Sequence, residues 1–129
     1  MAQMTFTADQ KKAIETHGQN ILVAAAAGSG KTRVLVERII SQVRSGTLSL
    51  DRGLVLTFTK AAASEMRERI EAALNEEITA LAVGGGSASD LHQRIGALER
   101  QRVLLTGADI STFHSFCQRL IQASRRSPF

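Results

Sequence analysis

The sequence predicts an α/β fold, a parallel sheet flanked by helices. Short apolar runs without polar alternation recur between segments of helical periodicity, the pattern of buried parallel strands joined by crossover helices. The first of these runs ends in a Gly-rich turn that opens a helix, and 129 residues suit one domain or part of one. Thr7 is the expected N-cap of a first helix over residues 8–15, with Gly18 as its stop. Residues 20–25 read as the first strand, carrying Ile21-Leu22-Val23, and the helix that follows from Lys31 repeats Leu35, Val36, Ile39, Ile40 and Val43 up to Gly46.

A second strand is expected over Leu54–Phe58, then a long helix from about Ala61 with the stripe Met66, Ile70, Leu74, Ile78 and Leu81 and a Glu65–Arg69 pair on its wet side. Residues 84–89, Gly-Gly-Gly-Ser-Ala-Ser, read as a flexible connector to another helix over 90–105, so that residues 75–105 form a helical insertion. A short third strand over Ala108–Thr112 and a closing helix over Ser115–Ala123, with Phe116, Leu120 and Ile121 on one face, complete the pattern.

Composition narrows the function. Apolar residues are 43% and charged residues 22% of the chain, which argues for a folded domain over a disordered one. Sixteen Lys and Arg against twelve Asp and Glu give a net charge of +4, with the excess confined to residues 91–129. That asymmetry fits a polyanion partner or a solvated face. One cysteine, Cys117, excludes an internal disulfide and a Cys-based zinc site; it is expected to be a buried apolar residue in a reducing, cytoplasmic compartment. The longest apolar run, Ile21–Ala27, is far too short to cross a membrane, and no signal peptide precedes it. With no Trp and no Tyr, any stacking on nucleic-acid bases falls to the five Phe.

Ala25-Ala26-Ala27-Gly28-Ser29-Gly30-Lys31-Thr32 carries the chemistry. It is the phosphate-binding loop pattern with Ala in place of its first Gly, between an apolar run and an amphipathic helix. Glycines let backbone N–H groups turn inward around a β-phosphate, and the helix N-terminus adds partial positive charge. Lys31 would reach the β- and γ-phosphates, and the Thr32 hydroxyl would ligate Mg2+. Gln10 has an amide donor and acceptor matching the N6 and N7 edge of adenine, which would select ATP over GTP. His17 and His92 lack partners at metal-ligand spacing, and His114-Ser115 has no third group to make a catalytic triad.

Three further segments resemble superfamily 1 helicases of the UvrD/Rep type. Thr57-Phe58-Thr59-Lys60-Ala61-Ala62-Ala63-Ser64-Glu65-Met66-Arg67-Glu68-Arg69 resembles their motif Ia, Ser111-Thr112-Phe113-His114-Ser115-Phe116-Cys117 resembles motif Ib, and Phe6-Thr7-Ala8-Asp9-Gln10 resembles the Q motif. The Ala24–Ala27 run, Val-Glu-Arg-Ile-Ile after the loop and the His-Ser-Phe-Cys spelling are most similar to the AddA family, the helicase–nuclease subunits of bacterial AddAB. The resemblance implies a RecA-like P-loop NTPase domain that uses ATP and Mg2+, acts on DNA single strands and duplex ends in double-strand break repair, and partners an AddB-like subunit in a bacterial cytoplasm.

On the resembling motifs, Phe58 is placed to meet a base, and Thr59, Lys60, His114 and Ser115 to meet phosphates. Thr112 suits either a cap or a phosphate donor. Arg125 and Arg126 fit a solvated tail better than a DNA contact.

ATP hydrolysis in a P-loop protein also needs a strand-end Asp for Mg2+ and a Glu to activate water. The chain's four Asp, at 9, 51, 90 and 109, lie at helix starts, in a turn and before a strand, and no Asp-Glu pair exists. The expectation is therefore the N-terminal part of helicase domain 1A, ending before the Walker B strand, able to bind nucleotide weakly at most and unable to turn it over. A UvrD/Rep/PcrA-like helicase without nuclease, or a stand-alone nucleotide-binding module, are the alternatives. Unpaired sheet edges would favour self-association.

Overall fold

In a computed structural model of the chain, the structure describes residues 5–24 and 30–126. Its first helix, α1 (Ala8–Glu15), begins where sequence places it. Thr7 caps it reciprocally: the Thr7 hydroxyl accepts from Gln10 N at 3.2 Å, and Thr7 N donates to Gln10 Oε1 at 2.9 Å. Helix α2 (Lys31–Arg44) opens from Gly30, whose φ of 86° lies in the left-handed region that a β-carbon disfavours. A single 3-10 turn, Leu50–Arg52, leads into strand β1 (Leu54–Thr57). Helix α3 (Lys60–Val83) and helix α4 (Ala88–Leu105) follow, then strand β2 (Asp109–Thr112) and helix α5 (Phe113–Arg126).

The two strands pair in parallel, Leu54 opposite Asp109 through Thr57 opposite Thr112, so α3 and α4 together form the crossover. The core joins Val36, Ile39, Ile40 and Val43 of α2 to Met66, Ile70 and Leu74 of α3, Leu98 and Leu105 of α4, and Ile110 of β2. Ile70 and Leu74 are fully buried, so each contributes about 1.5–3 kcal/mol of apolar transfer. Two carbonyls at the turn between α4 and β2 accept from one guanidinium: Arg67 Nη1 donates to Leu105 O, and Nη2 to Ala108 O at 3.0 Å.

Several expectations change. Residues 20–24 are not a strand; among the described residues no neighbour supplies them a ladder, and Leu22 is 95% exposed. An isolated strand has nowhere to place its backbone hydrogen bonds. Position 25 of that expected strand lies outside the described residues. Residues 75–105 are helical apart from 84–87, yet they are not set apart: α4 buries Leu98 and Leu105 in the common core. The connector narrows to residues 84–87, because Ala88 and Ser89 already belong to α4.

Helix α5 starts two residues earlier than expected and runs through Arg125 and Arg126, so this stretch is a helix end and not a tail. Cys117 is exposed, contrary to expectation. The helix rests on the strands through its beginning, and Leu120 and Ile121 of its apolar face are each 54% exposed. The 3-10 turn went unanticipated; it is pinned from a distance, with Leu50 N donating to Gln101 Oε1 at 2.8 Å.

Candidate nucleotide site and nucleic-acid face

Two groups of the expected site residues gather at helix N-termini. The first lies where α1 meets the start of α2. A β-carbon on Gly30 would stand 3.8 Å from Gln10 Nε2, so the amide of α1 faces the residue that opens α2. The capping box fixes that amide, because its oxygen accepts from Thr7 N; an amide oxygen can accept two hydrogen bonds, so the cap is compatible with a second donor. A cleft of about 140 Å³ lies beside it, lined by Asp9, Gln10, Ala13, Val23, Ala24, Lys31 and Val34. A larger hollow of about 430 Å³ opens between α1 and Ile21–Ala24.

Lys31 and Thr32 are the first two residues of α2 and both are exposed. Ala25, Ala26, Ala27, Gly28 and Ser29 of the loop lie outside the described residues. The groups that are described suit a nucleoside triphosphate. Apolar walls and one amide edge accept a planar heterocycle, while a Lys ammonium at a helix N-terminus accepts phosphate. For Mg2+ the Thr32 hydroxyl is the donor in place, and the described residues contain no cluster of three His, Cys, Asp or Glu side chains.

Phe6 and Arg33 belong to this corner and were not singled out from sequence. The Arg33 guanidinium lies over the Phe6 ring, 4.1 Å from its centroid, and its Nη2 is buried with no hydrogen-bond partner among the described residues. A signal was available: Arg33 is a cation in the first turn of a helix that has no acid there, where the helix dipole opposes it.

The second group lies at the carboxyl ends of the parallel strands, where α3 and α5 begin side by side. Thr59 caps α3, its hydroxyl accepting from Ala62 N at 3.0 Å, and Lys60 is the exposed first residue. Thr112 is buried and caps α5: its hydroxyl accepts from Ser115 N at 3.1 Å and donates to Ser115 Oγ at 2.9 Å. Of the two roles open to Thr112 in the sequence, the structure assigns it the cap. His114 is exposed and Ser115 half-buried in the same first turn. Between the two helix starts stand Phe58, 92% exposed, and Phe113, 47% exposed. Their ring centroids are 5.5 Å apart at an interplanar angle of 38°. Phe113 was not singled out either, since only the parallel register brings it beside Phe58.

Away from these groups, His17 Nε2 lies 3.2 Å from Ile14 O and 3.4 Å from Ser41 Oγ, so it fastens the end of α1. His92 lies 3.2 Å from Ala88 O on exposed α4. No helix among the described residues is long and apolar enough to cross a membrane.

The chain is 47% identical over 124 residues to an ATP-dependent helicase/nuclease subunit of Clostridium novyi (strain NT), covering 95% of this chain and 9% of that protein. It is 50% identical over 117 residues to the helicase/nuclease protein of the same name from Ligilactobacillus salivarius (strain UCC118), covering 91% of this chain and 9% of the relative. The protein of that name from Bacillus licheniformis is 52% identical over 120 residues, again at 92% and 9%. The chain thus spans about 9% of the length of these relatives. The model of the UvrD/REP helicase N-terminal domain matches residues 6–127, and with nearly every residue inside that match the chain belongs to the UvrD/REP helicase family.

Proposed function

We propose that the chain is the ATP-binding part of an ATP-dependent DNA helicase/nuclease that acts in double-strand break repair and recombination. Within such a protein it is the N-terminal part of helicase domain 1A, with a RecA-like sheet. The observation that carries this reading is the meeting of Gln10 with the Gly30-Lys31-Thr32 start of α2, a base-reading amide beside a phosphate-binding helix end. Lys31 would neutralise the β- and γ-phosphates, Thr32 would ligate Mg2+ and Gln10 would read adenine, with residues 25–29 belonging to the same phosphate-binding sequence pattern. When bound, ATP with its Mg2+ supplies the γ-phosphoryl group whose transfer to water drives translocation.

The face between α3 and α5 is the DNA surface of the same reading. Lys60 and the two helix starts hold phosphodiesters, with the Thr59, His114 and Ser115 side chains as further donors, while Phe58 meets a base and Thr112 sets the α5 turn. A partner similar to AddB, a bacterial cytoplasmic location and self-association of this chain through unpaired strand edges belong to the proposal. Without a strand-end Asp and a water-activating Glu, the chain alone binds nucleotide without turnover.

Equilibrium binding of a fluorescent, non-hydrolysable ATP analogue with Mg2+ tests the reading. Lys31→Ala is expected to weaken binding at least tenfold, the loss of one charge-assisted contact to phosphate. Equal affinity of the two proteins would overturn it, and Lys31-dependent hydrolysis by the chain would overturn the claim of no turnover.

A further inference from the structure

Helix α1 holds the base-reading amide of the proposed site, yet it has little means of staying in place by itself. It has eight residues, well below the length at which an isolated helix is stable in water, and its one buried side chain is Ile14. Its carboxyl end is fastened from α2. Arg38 Nη1 donates to Ala13 O at 2.8 Å and also to Thr16 O, carbonyls at the end of α1 that the helix itself leaves unmatched. A guanidinium there also meets the negative end of the α1 dipole, and Arg38 is part-buried, which strengthens both effects.

Arg38 lies two helical turns after Lys31 on α2, so both project from nearly the same face of one rigid rod, about 10 Å apart along its axis. The first residue of that rod is the phosphate-binding Lys31, and its middle, at Arg38, grips the carboxyl end of the helix whose amino end carries Gln10. We infer that Arg38 is a positioning residue: by clamping the carboxyl end of α1 to α2 it sets the distance between the base-reading amide of Gln10 and the phosphate-binding end at Lys31, and so determines the preference for adenine nucleotides. The inference rests on the assignment of Gln10 to adenine. His17, at 3.4 Å from Ser41 Oγ, is a second and longer tie between the same helices.

The test compares Arg38→Met, which keeps the apolar stem, and Arg38→Lys, which keeps one cationic donor, with Gln10→Ala and the unaltered chain. Two quantities are measured: hydrogen exchange of the α1 amides without nucleotide, and affinities for non-hydrolysable ATP and GTP analogues and for tripolyphosphate. Arg38→Met is expected to speed α1 exchange about tenfold or more with α3 unchanged, and to lower the ATP-over-GTP preference towards that of Gln10→Ala at constant tripolyphosphate affinity. Arg38→Lys is expected to restore part of both, and it carries the test should Arg38→Met fail to fold.

Faster α1 exchange with an intact base preference would overturn the inference and leave Arg38 a structural brace. Unchanged exchange would overturn it too. If Gln10→Ala itself leaves the preference intact, the adenine assignment is what fails, and the selectivity claimed for Arg38 falls with it.

Discussion

Phe58 and Phe113 stand beside each other at the carboxyl ends of the two parallel strands, 5.5 Å between ring centroids, with Phe58 almost wholly in solvent. Solvent-facing rings forgo the burial that normally holds phenylalanine inside a protein. Flanked by the starts of α3 and α5, they would serve, on the proposed DNA reading, as a base-stacking surface between two helix ends that hold phosphates. Phe58→Ala is expected to weaken binding of a single-stranded oligonucleotide by about 5- to 100-fold, the loss of about 1–3 kcal/mol of stacking. The melting temperature is expected to stay within a degree or two, since this ring contributes little to the core. Fluorescence anisotropy with a labelled oligothymidylate checks it, and unchanged affinity would remove Phe58 from the DNA surface.

Thr112 separates capping from DNA contact. Its hydroxyl serves the first turn of α5 from a buried position, so Thr112→Val is expected to cost about 1 kcal/mol of stability and lower the melting temperature by a few degrees. Thr112→Ser keeps the hydroxyl and is expected to recover most of that loss. Thermal unfolding followed by circular dichroism reads both variants. A Thr112→Val chain as stable as the original would show the cap to be dispensable.

Arg67 is the counterpart inside the fold. One guanidinium gives Leu105 O and Ala108 O a second hydrogen bond each, beside those from Ala108 N and Ile110 N within the turn from α4 into β2. Arg67→Met is expected to destabilise by about 1.5–3 kcal/mol, because it removes two charge-assisted bonds from part-buried carbonyls. Arg67→Lys is expected to recover less than half, since a single ammonium cannot span both carbonyls as a planar fork does. By contrast, Glu65→Ala on the exposed pair with Arg69 is expected to change stability by less than about 0.5 kcal/mol. Urea denaturation of the three variants gives the ranking, and equal losses for Arg67→Met and Glu65→Ala would contradict it.

What could be read from sequence follows the range of the interactions involved. Thr7 and Gln10 act within three residues of each other and fix the start of α1, while the helix stops at the Thr16 cap, two residues before the expected Gly18. The stripes on α2 and α3 are likewise local, and Ile40, Ile70 and Leu74 are buried as their spacing requires. A strand depends on a partner, so Ile21-Leu22-Val23 has the composition of one without its pairing, while Leu54–Thr57 finds Asp109–Thr112. The site divides the same way. Lys31 and Thr32 were named by a loop pattern, and Gln10 by its amide chemistry and the Q-motif resemblance. Phe113 beside Phe58, Arg33 over Phe6 and Arg38 on the α1 carbonyls arise only from tertiary contact.

The exposed run before the loop yields the last prediction. Leu22 is 95% exposed, Val23 46% and Ile21 38%, three apolar residues, two of them β-branched, with no ladder among the described residues. Such a segment gains both apolar burial and backbone hydrogen bonds by pairing with an edge on a second copy, through strand addition or exchange. Sedimentation velocity across a concentration series is expected to show the chain associating as concentration rises. Leu22→Lys is expected to shift that equilibrium towards monomer by tenfold or more, because a charge cannot be buried in the new interface without large cost. The side chain is almost fully solvated in the monomer, so the variant's folding and melting temperature are expected to be unaffected. A chain that stays monomeric throughout the series, or a Leu22→Lys chain that associates as before, would show that these residues are not the pairing surface.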